Sequence, residues 1–317
     1  MDIITVLLTI AGLALFESIT SIDNAIINAE ILATMKPWAR RWFLTWGIGL
    51  AVFGIRGVLP WMIVWVMASG LGPLEAFTAT LTDDPAALRA IQDSAPVLLL
   101  GGGVFFIFLF THWLFLEPKK FGLPGESFFA HHGAWFYAVG SVTLTVIVWF
   151  SIARNPILAF GAVVGSTAFF ITHGFKQHAQ IQEDRLRRED RHLSEISKIL
   201  YLEVIDATFS IDGVVGAFAF TLSVPLILLG NGIGAIVVRQ LTVYNVEKIR
   251  KYVYLKNGAM YSILVLGFVM LAHGFGLHVP EWVSPLGTFL IVGYFLLLSW
   301  GRARKTRKSA SLKKKSS

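Results

Sequence analysis

Long apolar runs separated by short polar ones dominate this chain. A helix needs roughly 20 apolar residues to cross a hydrocarbon core. By that measure the pattern predicts nine spans: Ile3–Leu32, Phe43–Met67, Ala95–Leu116, Trp135–Ile152, Pro156–Thr172, Ile199–Leu222, Pro225–Tyr244, Ala259–Val279 and Trp282–Trp300. The runs are continuous rather than alternating, which predicts helices and disfavours a barrel. Between them, Leu71–Thr80 reads as an interfacial segment ahead of the acidic Thr82-Asp83-Asp84-Pro85. Glu117–His132 reads as a loop with Pro118, Pro124, Gly122 and Gly125, and Gln182–Asp190 as a solvated helix with mixed charges at helical spacing. The fold class expected is all-α, a polytopic helical membrane protein. Its expected parts are a first repeat (1–116), an inserted pair of spans with a polar loop (117–198), a second repeat with the last span (199–301) and a basic, disordered tail (302–317).

Composition sharpens this picture. Hydrophobic residues make up 55% of the chain and charged residues 15%, against about 25% charged in soluble domains. The net charge of +7 could suggest nucleic acid, but 23 of the 27 Lys and Arg residues follow odd-numbered spans. They include Lys36, Arg40 and Arg41, the stretch from Lys176 to Lys198, and the tail Arg302–Lys315. Arg89 and Arg154 lie in the opposite loops, and Arg56 and Arg239 fall inside spans. Basic residues collect on the cytoplasmic side, so the N-terminus is expected outside and the C-terminus in the cytoplasm of a bacterial inner membrane. The tail then reads as an anchor drawn to anionic lipid, not as a nucleic-acid site. Met1-Asp2 lacks the basic start of a cleavable signal peptide. The absence of cysteine excludes disulfides and thiolate metal sites.

A repeat organises the chemistry. Span one reads Glu17-Ser-Ile-Thr-Ser-Ile-Asp23-Asn24, and span six reads Asp206-Ala-Thr-Phe-Ser-Ile-Asp212-Gly213. In the following spans, Gly47-Ile-Gly49 precedes Arg56 by the spacing at which Gly230-Asn-Gly232 precedes Arg239. The charge-based topology gives the matched spans opposite orientations. This predicts an inverted-topology repeat, whose site would lie near the midplane between the halves.

An ionised carboxylate at a helix centre costs about 2.5–3.5 kcal/mol, and such residues mark ion or proton paths. Span one holds Glu17 and Asp23; span six holds Glu203, Asp206 and Asp212. Two arginines cannot neutralise all of these, which leaves room for a cation or protons. At 100° per residue Glu17, Asn24 and Asn28 share one face, and Asp23 lies on another. Span one therefore either touches two neighbours or breaks near Ser21-Ile22-Asp23-Asn24. Gly213 and Gly216 allow a break or close packing in span six. Oxygen donors suit hard divalent ions such as Mn²⁺, Mg²⁺ or Ca²⁺. His112 and His273 read either as proton carriers or as packing residues. Gly101-Gly102-Gly103 lacks the Lys-Ser/Thr ending of a phosphate loop, and no enzyme constellation is found.

The pattern Glu17-x5-Asp23-Asn24-Ala25, with Glu203-x2-Asp206-x5-Asp212 in the second half, resembles the TerC family of integral membrane proteins, and its longer branch in particular. The resemblance covers about a third of the chain. It implies a lysine-exporter-like transporter, associated by name with tellurium resistance and in several members with manganese efflux or supply. It also implies Glu17, Asp23, Asp206 and Asp212 as ligands of a divalent cation, Mn²⁺ favoured. Two features depart from the family pattern: Asp212-Gly213 replaces the usual Asp-Ser-Ile-Pro, and spans four and five look inserted. The function expected is Mn²⁺ export, with Asn24 a further ligand and Asn28, Glu203, Arg56 and Arg239 in support. No resident cofactor is expected, and a homo-oligomer stays open. The alternatives are a membrane scaffold or metal-delivery partner, or an exporter of a small organic cation.

Overall fold

The computed structural model describes residues 2–47, 49–68, 70–78, 85–119, 121–189, 194–244 and 252–313. All described secondary structure is helical. The acidic loop around Asp83 lies outside the described residues. Helix α1 (Ile3–Thr20) starts on Asp2, whose carboxylate accepts the Thr5 N–H at 3.0 Å, an N-cap bond that satisfies one orphan donor. The chain kinks at Ser21 and continues as α2 (Ile22–Thr34). Helix α3 (Pro37–Trp42) runs into two π-helical stretches, Phe43–Gly47 and Leu50–Val58, followed by α4 (Leu59–Met67) and the short α5 (Pro73–Thr78). Then come α6 (Pro85–Leu116), α7 (Glu126–Ala130), α8 (Trp135–Arg154), α9 (Pro156–Glu189) and α10 (Glu195–Ala217). The last three are α11 (Val224–Tyr244), α12 (Leu255–Gly274) and α13 (Val283–Lys313).

Among the described residues, six helices are long and apolar enough to cross a membrane: Ile3–Thr20, Arg89–Leu116, Trp135–Arg154, Pro156–His178, Leu255–Gly274 and Val283–Arg304. They match the first, third, fourth, fifth, eighth and ninth expected spans. The second and seventh survive as the shorter apolar helices Phe53–Met67 and Val224–Gln240. The sixth is α10, which carries Glu203, Asp206 and Asp212 within it. Of the segments that fall short of a plain apolar span, α10 bears three candidate acids and Phe53–Met67 bears Arg56, while Glu17 lies on the full-length α1. Outward-facing side chains include Trp149, Phe160 and Leu290, at 73%, 67% and 73% exposure. Such large exposed hydrophobics suit lipid rather than water as the solvent.

Helix α6 forms the centre. A Cβ on Gly101 would stand 2.8 Å from the Gly161 carbonyl oxygen on α9, and one on Gly103 would stand 3.0 Å from the Gly267 carbonyl oxygen on α12. The glycine run therefore lets two helices close on α6 backbone to backbone. Around it Phe16, Phe105, Phe106, Phe169, Leu100 and Met270 are fully buried. Phe16 carries this core to α1, with ring centroids 6.1 Å from Phe106 and 5.7 Å from Phe220. The two spans read as an insertion are integral to this packing, since α9 lies along α6 and reaches α10.

Candidate functional site

Helices α1, α2 and α10 form an antiparallel seam. At its polar end Glu195 accepts the Lys36 N–H at 2.9 Å, and Lys198 Nζ lies 3.2 Å from Thr34 Oγ1. Ser194 caps α10 by accepting the Ser197 N–H at 3.1 Å. Farther along, the Asn24 amide donates to Asp206 Oδ1 at 2.5 Å. Deeper still, Gly213 lies against Glu17, and a Cβ there would collide with Glu17 Oε2. In the repeated motif Asp206 occupies the position of Glu17, and Gly213 that of Asn24. The Asn24–Asp206 and Glu17–Gly213 contacts therefore join the same two motif positions, once in each direction.

Arg56 closes the seam from the second π-helical stretch. Its Nε lies 2.8 Å from Glu17 Oε1 and its second guanidinium nitrogen 3.2 Å from Asp206 Oδ2. Arg56 and the Glu17 side chain are 3% and 1% exposed. The Ser21 hydroxyl also donates to Glu17 Oε1, at 2.7 Å. The kink at Ser21 sits between the two carboxylate-bearing parts of span one, as one of the two sequence readings required. The backbone bonds from Ser21 N–H to Glu17 O and from Ala25 N–H to Ser21 O remain, at 3.1 and 2.9 Å.

Five side-chain oxygens along this seam are buried and unpartnered: Glu17 Oε2, Asn24 Oδ1, Asn28 Oδ1, Glu203 Oε1 and Asp212 Oδ1. All are acceptors, and buried polar atoms ordinarily have partners. Glu203 is tucked beside Gly47, where a Cβ would stand 3.3 Å from its carboxyl carbon.

The structure brings together Glu17, Asn24, Asp206 and Arg56, with Asn28 and Glu203 on the same seam. Of the four expected ligands, Glu17 and Asp206 meet on Arg56. Asp212 is held by Lys176 of α9 in an ion pair, and the side chain of Asp23 lies outside the described residues. Among the described residues, no group of three or more His, Asp or Glu side chains is close enough to hold a metal ion. Arg239, the repeat equivalent of Arg56, makes no ion pair with Glu17 or Asp206, nor any other among the described residues. The difference lies in the helices. Arg239 sits on regular α11, which packs against α1 through Gly230 and Gly234, whereas Arg56 sits on a π-helical stretch that re-aims the side chains it carries.

Three participants escaped the sequence. Lys176 was counted with the basic loop, yet it lies inside the candidate span Pro156–His178. Ser21 reads as an ordinary small residue. Asn231 on α11 is fully buried with both amide atoms unpartnered; its position within an apolar run was the signal that could have found it. Both histidines sit against neighbouring groups. His112 lies against His173 with ring centroids 3.7 Å apart and the rings tilted by 51°, beside Phe136 and Phe169. His273 Nε2 lies 2.8 Å from the Val279 carbonyl oxygen at the end of α12.

Apolar helices around an internal seam of carboxylates, amides and one buried arginine define a helical membrane protein with a polar interior. The chain belongs to the DUF475 family, described as proteins of unknown function, which it matches over residues 22–306. No protein of curated description and no solved structure matches it.

Proposed function

We propose that the protein is a transporter of divalent metal cations, with Mn²⁺ export the favoured activity, and that the Glu17–Asp206 seam is where the cation binds. The observation that carries this reading is Glu17. It is fully buried, one carboxylate oxygen is shared by Arg56 and Ser21, and the other has no partner. With Asp206 it places two carboxylates around one arginine, so the ionised set keeps a net negative charge. An entering cation would compete with Arg56 for both carboxylates and gain the unpartnered oxygens of Asn24 and Asn28. These are hard donors, and sulfur is absent from the set, which fits Mn²⁺, Mg²⁺ or Ca²⁺.

The reciprocal Asn24–Asp206 and Glu17–Gly213 contacts support an inverted repeat, and its two-fold axis would pass through this seam. The TerC resemblance of the same residues supports manganese. The basic residues at one end support a cytoplasmic C-terminus. The runner-up, a membrane scaffold or metal-delivery partner, reads the Arg56 bridges as a lock.

The test is Mn²⁺ flux into liposomes containing purified protein, followed with an internal Mn²⁺-sensitive dye. Wild-type protein should carry Mn²⁺ well above empty liposomes, and Glu17→Gln should lose most of that flux while unfolding at a similar temperature. Absence of wild-type flux for Mn²⁺, Mg²⁺ and Ca²⁺ would refute transport. Full flux by Glu17→Gln would move the site elsewhere.

A further inference from the structure

A groove of about 560 Å³ opens on the outer surface where the end of α13 meets the start of α12, lined by Tyr254, Tyr294, Leu297, Leu298, Gly301 and Arg302. It combines two chemistries. Tyr294 and Leu297 present an apolar wall, 55% and 66% exposed, within the membrane-length part of α13. Arg302 closes one end. Its guanidinium donates to the Tyr254 hydroxyl at 2.7 Å and lies 4.7 Å from the Phe121 ring centroid. Tyr254 is fixed in turn, since its backbone N–H donates to the buried Ser299 hydroxyl at 3.0 Å. The charge is thus set in place at the mouth of an apolar groove.

The surroundings mark this end of the helix as an interface. Arg304 lies 3.4 Å over the ring of Trp300, and tryptophan with arginine is the usual pairing at headgroup level. Arg302 and Arg304 together make the local charge positive.

We propose that this groove binds an anionic phospholipid, with its phosphodiester on Arg302 and an acyl chain along Tyr294, Leu297 and Leu298. A guanidinium fork matches phosphate oxygens in shape and charge. The apolar wall selects a lipid over free phosphate, because phosphate alone would leave the wall unused. The net positive surroundings select an anionic headgroup over a zwitterionic one. The site lies apart from the carboxylate seam and does not depend on how that seam is read.

The test takes the full chain in detergent and adds phosphatidylglycerol, phosphatidylcholine or inorganic phosphate separately. Lipid retention is read by native mass spectrometry, and thermal unfolding is read for all three. Wild-type protein should retain one phosphatidylglycerol under conditions that strip phosphatidylcholine. Arg302→Gln should weaken that retention about tenfold or more, as expected for loss of a charge-assisted pair. Gly301→Leu should do the same by filling the groove; a Cβ at Gly301 meets nothing within 4 Å, so this variant tests the site even if Arg302→Gln fails to fold. Arg89→Gln, on another helix, should retain wild-type binding. Equal retention of both lipids would overturn the proposal, as would wild-type retention in Gly301→Leu. Stabilisation by inorganic phosphate equal to that by phosphatidylglycerol would overturn the lipid as occupant.

Discussion

Lys176 of α9 and Asp212 of α10 form an ion pair inside the protein, with side chains 12% and 13% exposed. This contact ties a span that looked inserted directly to the second acidic motif. Removing one member of a buried pair leaves an uncompensated charge and typically costs about 3–5 kcal/mol. Lys176→Met should therefore destabilise the protein strongly in thermal unfolding, and Lys176→Met with Asp212→Asn should recover much of the loss. An additive double variant would mean that the two charges do not depend on each other.

The helical class and the seam were legible because both rest on local pattern. Continuous apolar runs can be read one segment at a time, and acids inside them stand out by their cost. The helical wheel also put Glu17, Asn24 and Asn28 on one face, and all three are buried. Lys176 was not legible, because a lysine beside a polar loop looks solvated until a partner on another helix is known. The π-helical stretch was hidden for a related reason. Its residues, Leu50–Val58, have no composition that separates them from an α-helix. Arg56 and Arg239 are equivalent in spacing, and only backbone geometry sends one of them inward.

Gly213 was read as a break or a packing residue, and the structure gives it a narrower task. Helix α10 runs unbroken through it, and the Glu17 carboxylate fills the space a side chain would take. Gly213→Ala should force that carboxylate to turn away from Arg56 or Ser21. The expected loss is about 1–3 kcal/mol, the range for disturbing a buried charged hydrogen bond. Glu17→Asp shortens the side chain by one methylene and should relieve the clash. The Gly213→Ala, Glu17→Asp double variant should then be more stable than the sum of the two single effects predicts. Strict additivity would remove Gly213 from the site.

Orientation can be tested cleanly because the chain has no cysteine. Single cysteines at Ser127 and Ser309 should be shielded from an impermeant thiol reagent in intact cells, and one at Asp83 should react. Permeabilisation should expose the first two. Reaction of Ser309→Cys from outside would reverse the topology inferred from the basic residues.

The sharpest contrast is between the two arginines. Arg56 pairs with Glu17 and Asp206, which hold the same motif position in the two halves, while Arg239 pairs with neither. If repeat position alone set their importance, both should be equally sensitive. The geometry predicts otherwise. Arg56→Gln leaves the buried Glu17 and the partly buried Asp206 carboxylates without their cation and should cost about 3–5 kcal/mol. Arg56→Lys should recover only part of this, because a single ammonium cannot span both carboxylates as the planar guanidinium does. Arg239 is only partly buried, and Arg239→Gln should fall within about 0.5 kcal/mol of wild type, as for a substitution away from such a network. Thermal unfolding of the three variants under one condition decides the matter. Equal losses at the two arginines would mean that the π-helical aim of Arg56 has no energetic consequence.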